Sequence, residues 1–144
     1  MKRLMSDPAV SVVMPSYNAA RFILPSIASV VAQTFVDWEL LIVDDASCDD
    51  TVEQVRANYQ HESRVRLIVL NQNQGAAVAR NTAIEAARGR YIAFLDCDDQ
   101  WLPEKLEVQL QFMEQTGSPF TFTAYEKVRE TGDVVAVVGV PPRT

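Results

Sequence analysis

RYIAFLDCDDQWLPEK, residues 90–105, is the stretch whose reading decides the fold. Tyr91, Ile92, Ala93, Phe94 and Leu95 form a short run with the length and β-branched/aromatic content of a strand buried on both faces. The run meets Asp96, Cys97, Asp98 and Asp99. On an extended backbone side chains alternate, so Asp96 and Asp98 point the same way. Two carboxylates that close repel unless one is protonated or a cation sits between them. A hard divalent ion such as Mg²⁺ or Mn²⁺ suits oxygen-only ligands. The plainer alternative is an acidic cap on the next helix, with Pro103 in that helix's first turn.

Working outward, the same pattern recurs. Residues 10–14 are an apolar run, interrupted by Ser11 and closed by Pro15, and read as a buried first strand. The following loop, Pro15-Ser16-Tyr17-Asn18, has no glycine, so the Gly-x-Gly-x-x-Gly phosphate loop of dinucleotide-binding folds is missing. A helix over about 21–33 follows from Ile23, Ile27, Val30 and Val31, with Pro25 tolerated in its first turn. Residues 38–43 make the second strand and end in Asp44-Asp45, where open α/β sheets bind ligands. Asp50 and Glu53 predict a capping box for a helix to about Tyr59.

Residues 65–70 are the third strand. An alanine-rich helix over 76–87 has a thin face for close packing on the sheet, and Gly89 is expected to end it. Arg80 in this helix is either a solvated charge or a planar donor fork for a phosphate. After Pro103 a helix runs to about Gln115, with Leu106, Leu110 and Met113 inward. Residues 120–127 and 134–138, around Thr131-Gly132-Asp133, read as a C-terminal β-hairpin.

The order βαβαβαβα then ββ implies an α/β fold, a mainly parallel sheet flanked by helices, in a single domain over 1–144. In the doubly wound strand order 3-2-1-4, the ends carrying Tyr17/Asn18, Asp45 and Asp96/Asp98 lie side by side on one rim. That convergence favours the metal reading over the cap.

The 144 residues can bury roughly 70% of the unfolded surface. A net charge of −6 argues against a nucleic-acid partner, while a metal can still bridge an acidic site to a diphosphate. Cys48 and Cys97 are expected reduced and unbridged, which suits a cytoplasmic setting. No apolar run nears the ~18 residues of a membrane helix, so any membrane attachment would come from parts outside this chain. His61, the only histidine, sits in a polar loop and reads as a surface residue, against triad hydrolases and most zinc sites.

The strings VSVVMPSYNAARFI, QTFVDWELLIVDDASCDDT and NQGAAVARNTAIEAARGRYIAFLDCDDQWLPEKL resemble the family 2 inverting glycosyltransferases of GT-A (Rossmann-like) fold. The resemblance spans about residues 10–106 and fades beyond Pro119. It implies a donor-binding part that takes a nucleotide-sugar, most often a UDP-sugar, for transfer to an acceptor hydroxyl of a saccharide or lipid-linked acceptor. It implies that Pro15 and Tyr17 hold the base, with Asn18 beside them. Asp45 would accept a hydrogen bond from the base ring, and Arg80 would lie near the phosphates. In the Asp-x-Asp motif, Asp96 would face the ribose or a metal-bound water, Asp98 would ligate Mn²⁺ or Mg²⁺, and Asp99 is a second-choice ligand.

Family members carry a further stretch that supplies the acceptor side and the catalytic base, for which no candidate is visible here. A non-catalytic nucleotide-sugar-binding fragment is therefore one alternative. A metal-dependent receiver-type regulatory domain is another, although its acidic pair should follow the first strand. An exposed edge near residues 134–140 could dock the missing half or a second copy in a homodimer.

Overall fold

The computed structural model describes residues 6–119, 121, 125–128 and 134–138. The chain forms two compact units, residues 1–105 and 106–144. The first holds β1 (Val10–Ser16), α1 (Ile23–Val31), β2 (Trp38–Asp44), α2 (Thr51–Tyr59), β3 (Val65–Val69), α3 (Ala76–Ala86) and β4 (Tyr91–Phe94). The boundary falls at the start of α4 (Lys105–Thr116), which the second unit continues with β5 (Tyr125–Val128) and β6 (Val134–Val138). β5 and β6 pair antiparallel. The expected turn between them, 131–133, and Phe120 lie outside the described residues.

The first unit is the expected parallel sheet, in the order β3-β2-β1-β4. β1 and β2 are central, and consecutive apolar residues in them are buried: Val12, Val13 and Met14, and Leu40, Leu41, Ile42 and Val43. Both faces of these strands are therefore covered, as a strand followed by a crossover helix requires. On one face Val13, Leu41 and Val43 pack with Ala79 and Ala83 of α3. Those two alanines carry only methyl groups, so the helix lies close to the sheet. The remaining alanines of α3 are at most partly buried.

Several local expectations are corrected. β1 runs through Pro15 to Ser16, so the proline sits inside the strand. β4 is not buried on both faces: Ile92 and Phe94 are 41% and 55% exposed, and β4 pairs only with β1 among the described residues. Asp50 makes no cap hydrogen bond to α2, and its carboxylate instead accepts from Gln54 Nε2. The neighbouring Asp49 does the work, accepting from the Thr51 amide and hydroxyl.

Gly89 does not end α3, which leaves its helical path at Ala87. It is instead pressed against β1, where an added Cβ would lie 2.5 Å from the Ser11 nitrogen.

That contact belongs to a buried polar network at the amino end of the sheet. Ser11 Oγ donates to Glu39 Oε2 at 2.6 Å and accepts from the Gly89 amide at 2.8 Å. The Arg88 amide donates to Glu39 Oε2 at 2.7 Å, and Arg66 to Oε1 at 2.9 Å. Burial pushes the Glu39 carboxyl up, but the Ser11 hydroxyl, the Arg88 amide and Arg66 together hold it below the ordinary glutamate value. A depressed carboxylate stabilises the fold above its unfolded pKa and loses that contribution as pH falls through the folded value. Stability is thus expected to decline as pH drops below about 4.3. Glu39→Gln should flatten that part of the profile, read as urea midpoints against pH. An unchanged slope would remove Glu39 from the acid response.

Candidate functional site

The carboxyl ends of the strands carry the site. A cleft of about 390 Å³ is lined by Pro15, Ser16, Tyr17, Asn18, Ala19, Phe22, Ala76, Arg80, Asp96, Cys97 and Asp98. The loop after β1 thus meets the loop after β4 and the first turns of α3, because β1 and β4 are neighbours.

The loop after β1 is sewn to the loop after β2. Asn18 has a φ of 48°, a left-handed conformation that asparagine tolerates better than most residues. Its Oδ1 accepts from the Cys48 amide at 2.8 Å, and its own amide donates to Ser47 Oγ at 2.9 Å. Buried Asp44 in turn accepts from the Ser47 amide at 2.9 Å and hydroxyl at 2.6 Å. With its backbone fixed, Tyr17 presents a ring 48% exposed in the cleft.

Asp45 is not among the lining residues. Its buried carboxylate accepts from the Gln74 amide at 2.7 Å and the Gly75 amide at 2.8 Å. It therefore anchors the entry to α3, where Gly75 takes a φ of 97° that few side chains allow.

The aspartates do not sit on an extended strand as expected. β4 ends at Phe94, and the Asp99 amide donates to the Asp96 carbonyl at 3.1 Å, closing a turn. That turn brings carboxylate oxygens of Asp96, Asp98 and Asp99 within 4.8 Å of one another, all exposed. α4 begins only at Lys105, so the cluster does not cap it, and Pro103 lies ahead of the helix. Desolvation by the surrounding protein, with the charges of Asp98 and Asp96, pushes the Asp99 carboxyl above its usual range. Burial likewise raises the Cys97 thiol, despite a hydrogen bond from the Tyr17 amide, and the neighbouring carboxylates add to the rise. The groups that the turn gathers, those of Asp96, Asp98 and Asp99, make an oxygen-only donor set. Such a set fits a hard divalent cation better than zinc. One positive group stands opposite, Arg80, whose guanidinium is 3.8 Å from the Asp96 carboxylate.

Phe22 and Ala76 line the cleft without having been anticipated. Both had a signal. Phe22 is a large aromatic one position off the inward stripe of α1, and Ala76 lies four residues before Arg80, on the same helix side. His61 is exposed, and Cys48 and Cys97 are free, as expected.

Residues 11–135 match the family model described as Glycosyl transferase family 2. The chain belongs to this family. One relative is the Escherichia coli UDP-Glc:alpha-D-GlcNAc-diphosphoundecaprenol beta-1,3-glucosyltransferase WfgD, 44% identical over 130 residues that cover 90% of this chain and 51% of WfgD. Two solved structures superpose well. S. aureus TarS 1-349 in complex with UDP-GlcNAc has a TM-score of 0.74 at 27% identity, covering 92% of this chain and 37% of that one. The mannosyltransferase PcManGT from Pyrobaculum calidifontis, in complex with GDP-Man and Mn²⁺, has a TM-score of 0.70 at 28% identity, covering 86% and 36%. The GT-A architecture is therefore shared, and this chain spans about half the length of WfgD. No helix among the described residues is long and apolar enough to cross a membrane.

Proposed function

We propose that residues 1–144 are the nucleotide-sugar-binding domain of an inverting, metal-assisted glycosyltransferase whose donor is a UDP-sugar. The family model spans the boundary between the two compact units, which supports treating them as one domain. The observation that carries the function is the meeting of Tyr17, Arg80, Asp96 and Asp98 in one cleft. UDP-Glc in the name of WfgD and UDP-GlcNAc in the TarS complex support the donor class, and Mn²⁺ in the PcManGT complex supports the cation.

Pro15 and Tyr17, which line the cleft, hold the base, with Asn18 beside them. Asp45 keeps lone pairs beyond those taken by the two amides, and these accept from the base N–H. Arg80 leaves Asp96 for a diphosphate oxygen, a stronger partner for its planar fork. Asp98 and Asp96 would hold Mn²⁺ or Mg²⁺, with Asp99 in reserve. A cation held there supplies Lewis-acid stabilisation of the charge on the departing diphosphate. The acceptor oxygen attacks the anomeric carbon from the face opposite the diphosphate, and the bond to the diphosphate breaks. A base outside the residues described here takes the acceptor proton.

Ligand-dependent melting tests the donor site. With Mn²⁺, UDP at about a hundred times its dissociation constant should raise Tm by roughly 5–10 °C. UDP without a divalent ion should give a smaller rise. No shift at saturating UDP and Mn²⁺ would remove the donor-site assignment.

A further inference from the structure

The acidic turn sits in a stretch, residues 95–104, with no helix or strand. Its backbone groups must still find partners wherever they are covered. One side of α1, continued just past its end, supplies them at the spacing 26, 29, 33, roughly one helix face. Ser26 Oγ lies 2.9 Å from the Cys97 carbonyl and also contacts the Asp99 carbonyl. One hydroxyl proton shared between two carbonyls on either side of Asp98 draws them together. Ser29 Oγ accepts from the Trp101 amide at 3.1 Å and donates to the Ser26 carbonyl at 2.7 Å. Gln33 Nε2 donates to the Leu102 carbonyl at 2.7 Å and the Ser29 carbonyl at 3.1 Å.

Ser26 and Gln33 are 0% and 3% exposed, beside the apolar stripe of Ile23, Ile27 and Val30. Polar side chains buried there are explained by what they hold. The ladder grips the turn from its backbone side, while the carboxylates of Asp96, Asp98 and Asp99 remain exposed. Three like charges that close push the turn open. A grip on the carbonyls opposes that push before any cation arrives.

We propose that Ser26, Ser29 and Gln33 are positioning residues that hold the acidic turn in cation-binding form. The proposal rests on the donor-site reading above, and two measurements keep the two separable. The first is amide hydrogen exchange without metal, on the full-length protein. Ser29→Ala should speed exchange at Trp101 by roughly tenfold, with amides of β2 unchanged. Ser29→Thr, which keeps the hydroxyl at a half-buried position, should restore protection. The second is Mn²⁺ affinity by titration. Ser26→Ala and Ser29→Ala should each weaken it by ~10-fold or more, the scale for residues that orient metal ligands. Ser29→Thr should again stay close to wild type.

Unchanged Trp101 exchange in Ser29→Ala would overturn the proposal whatever the metal does. Faster exchange with unaltered Mn²⁺ affinity would reduce the ladder to a structural role and overturn the positioning claim. If the wild-type protein bound no Mn²⁺, the cation part of the donor-site reading would fall. The positioning claim would fall with it, while normal Mn²⁺ binding with unaffected variants would remove the positioning claim alone.

Discussion

Asp98→Asn is expected to lower sugar transfer by the full-length protein ~10²-fold or more, the scale for deleting one electrostatic stabiliser at a reacting centre. Asparagine has the shape of aspartate and lacks its charge. The change therefore weakens the hold of the acidic turn on a divalent ion without disturbing packing. Asp98 is exposed and lines the cleft, and none of the core packing involves it. The melting temperature without ligand should stay close to wild type, since such exposed substitutions shift stability by less than about 0.5 kcal/mol. The Mn²⁺-dependent part of the UDP melting shift should shrink with the rate. Transfer from a labelled UDP-sugar is the direct readout. A full rate in Asp98→Asn would end the role given to this residue.

The second large effect concerns the opposite end of the sheet. Gly89→Ala would put a methyl group 2.5 Å from the Ser11 nitrogen, 2.7 Å from its hydroxyl and 2.8 Å from the Val10 carbonyl carbon. Two of those three atoms are backbone of β1, which pairs with β2 on one side and β4 on the other. The strand cannot retreat without disturbing both ladders. Moving Gly89 instead breaks its hydrogen bond to Ser11 Oγ and disturbs the group that also holds Glu39. We expect a loss of about 3 kcal/mol, at the upper end for overpacking, and a fall in Tm of roughly 6–12 °C. Urea unfolding should show a lower midpoint at an unaltered slope. Gly117→Ala is a useful contrast. Its φ of 68° strains a side chain, yet no atom lies within 4 Å of the added methyl. It should cost only about 1 kcal/mol. Equal losses in the two variants would show that close approach at Gly89 is not what matters.

What could be read without coordinates was whatever depends on short-range pattern. The apolar runs of β1 and β2, and the helices between strands, declare themselves through period and length. The order β3-β2-β1-β4 then follows from the way parallel sheets wind. The acidic turn and Tyr17 were legible as a pair for the same reason, since both follow strands that this winding makes neighbours. Contacts between distant residues were less visible. Glu39 lies beside the apolar run of β2, yet it is 5% exposed and held by groups 27 to 49 residues away. Gly89 looked like a helix stop because its crowding comes from β1. The fastening of the Asp45 carboxylate to the start of α3, through the Gln74 and Gly75 amides, was likewise not legible in the sequence. Ile92 and Phe94 resembled core residues by composition, although β4 is flanked only by β1 among the described residues.

The two alanines that seat α3 on the sheet have a consequence for where the Arg80 side chain stands. Arg80 directly follows Ala79, and Ala83 lies three positions further along the same helix. The bulk of two interior side chains thus sets how far a guanidinium on the outside stands from the strand tips. Exchanging either methyl for an isopropyl group would lift the whole helix and carry the cationic arm with it. The reach of Arg80 into the cleft can therefore be altered from the hydrophobic interior, with every polar residue of the cleft left in place.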